Sequence, residues 1–192
     1  MSMQMMDDDV RPARIAYQGA PGAFSHEACV DLRPWDIPVA FETFDGAIAA
    51  VLSGDCDLAL IPLENSTVGT VEPAATLVRE AGLVALSEAW RPIRHALLAL
   101  PGARLSDIKT AESHPIALQQ CTENLKALNI ETVTVFDTAG AARDVAQSGD
   151  FTRAAIAPAR AAEVYNLQIL RNDLQDFSDN RTRFVLLSAR NA

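Results

Sequence analysis

Three short polar segments and one glycine-rich turn stand at the ends of apolar runs, and the polar side chains suit holding and polarising a small anion. Glu64-Asn65-Ser66 closes the apolar run that begins at Leu58. Ser113 precedes Pro115, a residue suited to the first position of a helix, and Ile116 and Gln120 share the next turn of that helix's face. Asn180-Arg181-Thr182-Arg183-Phe184 opens the last apolar run. Gly19-Ala20-Pro21-Gly22 follows the first, either as a tight turn or as a loop that lets a ligand approach the backbone. Taken singly, each segment reads equally well as a cap or a turn. Other chemistries are excluded. The chain has no Gly-x-Ser-x-Gly elbow, no phosphate loop ending in Gly-Lys-Ser/Thr and no dinucleotide fingerprint. Ser113 and His114 are adjacent, and neighbours in sequence rarely face each other, so they make no nucleophile–base pair. His26 and Cys29 supply two ligands, short of a zinc site, and no metal is expected.

These segments belong to a chain of 192 residues, 49% apolar and 21% charged, which is the balance of a folded globular protein. Its formal charge is −9. Nucleic acid and anionic membrane surfaces both need a basic face, so neither is an expected partner. Lys109 and Lys126 are the only lysines; the other cations are arginines, whose planar forks suit carboxylates. Cys29, Cys56 and Cys121 are scattered and odd in number, which argues against a disulfide framework and for a reducing compartment. Residues 1–13, with Asp7-Asp8-Asp9, lack the apolar stretch of a signal peptide and read as a disordered acidic leader. No apolar run approaches the ~18 residues that span a bilayer, and a cytoplasmic location is expected.

The elements that must position the polar segments alternate between apolar runs and helix-period stretches, which predicts an α/β architecture. Strands are expected at Arg14–Gln18, Val39–Phe41, Leu58–Pro62, Leu83–Trp90, Ile93–Leu100, Thr132–Phe136, Ala154–Ala157 and Arg183–Ser188. Pro115 starts a helix with the apolar stripe Leu118, Cys121, Leu125 and Leu128. Pro73 starts another, which Gly82 closes. A repeat lies across this pattern. Phe41-Glu42-Thr43, an alanine-rich helix, Ser53-Gly54-Asp55 and a strand ending at Pro62 form the first copy. Phe136-Asp137-Thr138, a second such helix, Ser148-Gly149-Asp150 and a strand ending at Pro158 form the other. Thr43 and Thr138 are the expected N-caps, Gly54 and Gly149 the left-handed C-caps. Two βαβ lobes bring the carboxyl ends of their strands to one crevice, where helix N-termini offer N–H groups to an anion. The residues thus point to a small carboxylate ligand.

Tyr17-Gln18-Gly19 through Phe24-Ser25-His26, Ile61-Pro62-Leu63-Glu64-Asn65-Ser66, Ser113-His114-Pro115 through Gln120-Cys121, and Asn180 through Thr182-Arg183-Phe184 together resemble the prephenate dehydratase family. The similarity runs in order from about Ile15 to Leu187. Asp137-Thr138-Ala139-Gly140-Ala141-Ala142 is similar to the version in plant arogenate dehydratases and some bacterial relatives. The resemblance implies a two-lobed α/β fold similar to type II periplasmic binding proteins, with the active site in the cleft between lobes. Residues 14–91 plus 169–192 would form lobe 1, and 92–168 lobe 2. It also implies decarboxylating dehydration of prephenate to phenylpyruvate, water and carbon dioxide, in phenylalanine biosynthesis and without a cofactor. Thr182 would be essential, with substrate contacts from Asn65, Ser66, Ser113, Gln120, Thr138, Arg183 and Phe184. A homodimer is expected. Relatives often carry Gln where this chain has Ile116, and many continue into an ACT domain that binds phenylalanine. The sequence ends eight residues after Phe184, so no ACT domain is expected in it. Arogenate dehydration and non-catalytic binding of a small anion stay open, because fold alone does not decide function.

Threonine is a weak acid, so Thr182 must be polarised by a neighbour or serve as an oriented donor. In a regular strand Thr182 and Phe184 share one face and Arg183 takes the other. Arg183 reaches the same substrate only from an irregular strand start; otherwise it anchors the strand to a carboxylate such as Glu64 or Asp176.

Overall fold

Small and branched apolar residues make Arg14–Gln18 a strand buried through its centre, β1, in a computed structural model that describes residues 11–189. Most of the expected acidic leader, residues 1–10, lies outside the described residues. From β1 the chain runs through α1 (Phe24–Leu32), β2 (Ile37–Phe41), α2 (Phe44–Ser53), β3 (Leu58–Asn65), β4 (Gly69–Thr70), α3 (Ala74–Ala81) and β5 (Val84–Pro92). It then crosses to a second unit of β6 (Ala96–Ala99), β7 (Thr110–Ser113), α4 (Pro115–Gln120), α5 (Thr122–Ala127), β8 (Glu131–Thr134), α6 (Thr138–Ser148), β9 (Arg153–Ala157), α7 (Ala159–Tyr165) and β10 (Gln168–Arg171). The last strand, β11 (Arg181–Ser188), returns to the first unit.

The first sheet has the order β2-β1-β3-β11-β5, with β4 on β3; the second has the order β10-β6-β9-β7-β8. β2, β1 and β3 are mutually parallel, as are β8, β7 and β9. In each sheet an antiparallel pair completes the other edge: β11 and β5 in the first, β6 and β10 in the second. The fold is therefore α/β with two sheets that correspond strand for strand. A return at residue 169 would cut β10, which pairs with β6; sheet membership puts the return after Arg171. That short, half-exposed edge strand carries too little alternation to read from sequence. β7 was hidden for another reason: it holds Glu112, buried at 5% exposure and gripped at 2.5 and 2.9 Å by Arg153 of neighbouring β9.

Local signals explain the helix ends. Thr43 caps α2 by accepting from the Gly46 N–H at 3.1 Å, and Gly54 closes it at φ 84°. In the second copy the cap falls one residue earlier than Thr138. Asp137 accepts from the Gly140 N–H at 2.5 Å and Thr138 is the first helical residue, since aspartate is the better cap. Pro115 does open α4, but the stripe from Leu118 to Leu128 bends at Cys121 into two helices. Asp176, far away in sequence, holds the start of the second helix by accepting the Glu123 and Asn124 N–H groups, both at 3.0 Å. Pro73 stands just before α3 as its cap position, and Gly82 ends that helix at φ 65°.

Each sheet is covered on both faces. In β3, Ala59 and Ile61 pack towards α2 and α3, while Leu60 packs with Ala28 and Cys29 of α1. In β9, Ala154 and Ile156 meet Leu118 and Leu125, while Ala155 and Ala157 meet Ala141 and Val145 of α6. Each fully buried Leu or Ile contributes ~1.5–3 kcal/mol, so the two cores hold the strand ends rigidly. All three cysteines are buried and free, and burial pushes the Cys29 and Cys121 thiols up to about 12. Among the described residues no helix is long and apolar enough to cross a membrane.

Candidate active site

Between the two sheets lies a cleft of about 430 Å³. The first unit contributes the end of β1, the start of α1, the end of β3 and the start of β11. The second contributes the segment before β6, α4 from His114 before it to Gln120 at its end, and the start of α6.

Thr182 and Phe184 face the cleft from β11. Thr182 is 7% exposed, and its Oγ1 accepts from Asn65 Nδ2 at 2.9 Å across the β3–β11 pairing. Asn65 cannot turn over. Its Oδ1 accepts from the N–H groups of Thr67 and Val68 at 2.9 and 3.1 Å and from the Thr67 hydroxyl at 2.8 Å. Its second amide hydrogen goes to Asn180 Oδ1 at 2.9 Å. With a lone pair of Thr182 occupied, the threonine's own O–H is free to point at a ligand, and the donated bond polarises it. Asn180 Nδ2 is buried without a partner among the described residues. On the facing wall, His95 Nε2 and Gln120 Oε1 lie 2.8 Å apart; an amide oxygen only accepts, so this contact assigns the ring hydrogen to Nε2. Burial pushes the His95 pKa down, which holds the ring neutral.

No arginine or lysine lines the cleft among the described residues, and Asp137 brings a carboxylate to it. Anion recognition therefore falls to neutral donors and to helix starts. The first-turn residues Phe24 and Ser25 of α1 line the cleft, and no side chain caps that helix. Uncapped N–H groups and the positive dipole end make such a terminus attractive to a carboxylate.

Of the residues singled out in the sequence, Asn65, Gln120, Thr138, Thr182 and Phe184 come together here. Ser66, Ser113 and Arg183 do not line the cleft. Ser66 is exposed, donating to the Asp179 carbonyl at 3.2 Å and accepting the Arg181 N–H at 2.9 Å. Ser113 is fully buried and donates to the Ile156 carbonyl at 2.6 Å, tying β7 to β9. Arg183 points to the opposite face and pairs with Glu64 at 3.2 Å and Glu88 at 2.9 Å. The register shift beside it lies opposite β3, so β11 keeps its own alternation. Sequence reasoning missed His95, His114 and Asn180 as lining residues. Asn180 and His114 stood inside two of the three polar segments, whereas His95, a lone histidine inside the expected strand Ile93–Leu100, carried no signal; that strand starts only at Ala96.

The description "Prephenate dehydratase" belongs to the family model that matches residues 15–192. A bifunctional N-acyl-homoserine lactone acylase/prephenate dehydratase of Komagataeibacter europaeus is 40% identical over 178 residues, covering 93% of this chain and 63% of that protein. Arogenate dehydratase/prephenate dehydratase 1 of Arabidopsis thaliana is 39% identical over 187 residues, covering 97% of this chain and 48% of that protein. The chain thus spans less than two thirds of these curated relatives. Among solved structures, a prephenate dehydratase of Arthrobacter aurescens in complex with L-Phe superposes with a TM-score of 0.81 at 33% identity, covering 93% of this chain and 61% of that one. A structure described as a novel type of quorum quenching acylase superposes at 0.86 with 40% identity, covering 93% of this chain and 65% of that one. With a family model matched from β1 to the end of the sequence, the chain belongs to the prephenate dehydratase family.

Proposed function

We propose that the cleft converts prephenate to phenylpyruvate, water and carbon dioxide. The observation that carries this reading is the Thr182 hydroxyl, oriented by Asn65 into a cleft that holds neutral donors instead of strong acids or bases. In the reaction the bond from the ring to its carboxylate breaks and releases carbon dioxide. The electron pair forms a ring double bond, the adjacent double bond shifts, and the C4–oxygen bond breaks as the ring becomes aromatic. The departing hydroxide takes up one proton, drawn in net from solvent, and leaves as water. Aromatisation supplies the driving force, so the protein needs only to hold the dianion, partly desolvate the ring carboxylate and hydrogen-bond the leaving oxygen. Thr182 supplies that donor, and the free amide hydrogens of Gln120 and the α1 start hold carboxylates.

A second substrate has its own observation. Arogenate carries an ammonium where prephenate has a keto oxygen, and the Asp137 carboxylate lines a cleft without a compensating cation. The experiment is to incubate purified protein with each compound and follow aromatic product and carbon dioxide. Product from prephenate supports the main reading; product from arogenate alone moves the assignment to the amine. Binding of both without turnover returns the chain to an anion-binding module. N-acyl-homoserine lactone is a further arm, prompted by the Komagataeibacter relative's name. Its hydrolysis is not expected, because no hydroxyl lining the cleft is hydrogen-bonded to a histidine among the described residues.

A further inference from the structure

The crossover between the two units holds a residue to which the dehydratase reading gives no task. His95 lies between β5 and β6 and is 2% exposed. Its ring stands edge-on to Phe24 of α1, with centroids 5.2 Å apart, while Nε2–H reaches across to Gln120 of α4. Its backbone N–H donates to Gln175 Oε1, and its carbonyl accepts from the Leu174 N–H, both at 2.8 Å. The ring is thus held from both units, and the backbone behind it by the returning segment. Nδ1 is buried with no hydrogen-bond partner among the described residues. Phe or Leu would fill the same space without orphaning a polar atom, so packing alone does not account for a histidine here.

Gln120 supplies the account. A glutamine amide has a donor end and an acceptor end, and a free side chain presents either one. His95 holds Oε1, which leaves Nε2 for the cleft that Gln120 lines. Where no arginine or lysine lines the cleft, each fixed donor weighs heavily in binding a dianion. We propose that His95 is a positioning residue that locks the Gln120 side chain with its NH₂ group turned to the bound substrate. The identity of that substrate rests on the dehydratase reading; the lock itself does not.

The test compares the steady-state kinetics of wild type, Gln120→Ala, His95→Gln, whose amide reaches as far as Nε2, and His95→Asn, whose amide stops short. Loss of one hydrogen bond to a charged group should raise KM about tenfold in His95→Asn and in Gln120→Ala, with a smaller change in kcat. The double variant should rise no further, and His95→Gln should return to within about threefold of wild type. Losses that multiply, or Asn and Gln variants that behave alike, overturn the proposal. Should His95→Asn not fold, Gln120→Glu takes its place: it keeps an acceptor for His95 but offers the cleft no donor, and an unchanged KM overturns the proposal. A wild type that turns over neither prephenate nor arogenate overturns the dehydratase reading instead. The Gln120 side-chain ¹H–¹⁵N signals of the free protein then decide. His95→Gln should leave them near their wild-type positions and His95→Asn should shift or broaden them, and equal spectra from both variants overturn the lock.

Discussion

Thr182 is a poor acid by itself, and its competence comes from Asn65, which occupies one lone pair and leaves the hydroxyl hydrogen for the ligand. Thr182→Ala should therefore lose ~10²–10⁴ in kcat with little change in melting temperature, the range for removing an oriented donor. Thr182→Ser keeps the hydroxyl and should retain more activity. Equal turnover by the alanine variant and wild type would reduce Thr182 to a strand-start contact. The neighbouring Arg183 shows how far residue type alone can mislead. A guanidinium suits a carboxylate substrate, yet strand alternation turns this one to Glu64 and Glu88. Alternation was readable from sequence and left two roles open, with Glu64 or Asp176 as the anchoring carboxylate. Glu64 is one partner, whereas Asp176 serves α5 and Glu88 was not foreseen, because β5 and β11 are distant in the chain. Ser113 makes the same point with a hydroxyl, since its partner, the Ile156 carbonyl, becomes a neighbour only when β7 pairs with β9.

At the scale of elements, the caps decide where helix starts point, and here a one-residue slip matters. Both Asp137 and Thr138 line the cleft, and it is the Asp137 side chain that fixes the start of α6. Gly140 lets this cap close. A Cβ added there would stand 2.6 Å from Asp137 Oδ2 and 3.1 Å from Oδ1. Gly140→Ala should push the carboxylate off the helix, costing ~0.5–2 kcal/mol of stability as a lost N-cap, while the helix interior gains from alanine. Because Thr138 and Asp137 share the cleft wall, KM should rise along with the fall in melting temperature. A variant as stable as wild type with an unchanged KM would show that the cap does not position the wall. The repeat of Phe41-Glu42-Thr43 as Phe136-Asp137-Thr138 made both helix starts legible, but threonine and aspartate are both good caps, and sequence alone favoured matching the first copy. Strands were legible where apolar residues ran unbroken, as in β1, β3 and β9. They were lost where a buried ion pair interrupted the run, as in β7, or where an edge strand was short, as in β10.

For the whole molecule, the two-sheet division followed from the repeat, and the contacts joining the units were missed. His95 and Gly22 make their contacts between residues far apart in sequence, where no local pattern points. Stability should register both. His26 and His95 have pKa values pushed down by burial, His26 further by Arg160 nearby, so the folded state binds their protons less readily than the unfolded chain, where histidine titrates near 6.5. Their stabilisation is complete above that value and is lost as pH falls below it, at up to about 1.4 kcal/mol per pH unit for each. Glu27, raised by burial and by Asp31, works in the opposite sense above its ordinary value, so only a difference measurement isolates His95. Urea unfolding at pH 7.5 and 5.5 should show a larger loss in wild type than in His95→Gln; equal losses would contradict a neutral buried ring. Gly22 tests the contact between the units directly. It is buried at φ +92°, and a Cβ there would meet Ala161 Cα at 3.0 Å, Ala161 Cβ at 3.1 Å and Tyr165 Cε2 at 3.2 Å, all on α7 of the other unit. Tyr165 O–H donates to the Pro21 carbonyl at 2.6 Å beside it, and Arg160 lies 3.6 Å from Asp31. Gly22→Ala would add about 1–2 kcal/mol of left-handed strain and push α7 away, separating the walls that carry Thr182 and Gln120. A two-walled site loses transition-state contacts when its walls part, so kcat/KM should fall by more than the ~10-fold expected from one lost hydrogen bond. Tyr165→Phe removes only the hydroxyl's bond to Pro21 and should cost less. A Gly22→Ala protein with a lowered melting temperature and wild-type kcat/KM would mean that the contact only stabilises the fold, and that cleft geometry is set at the His95 crossover alone.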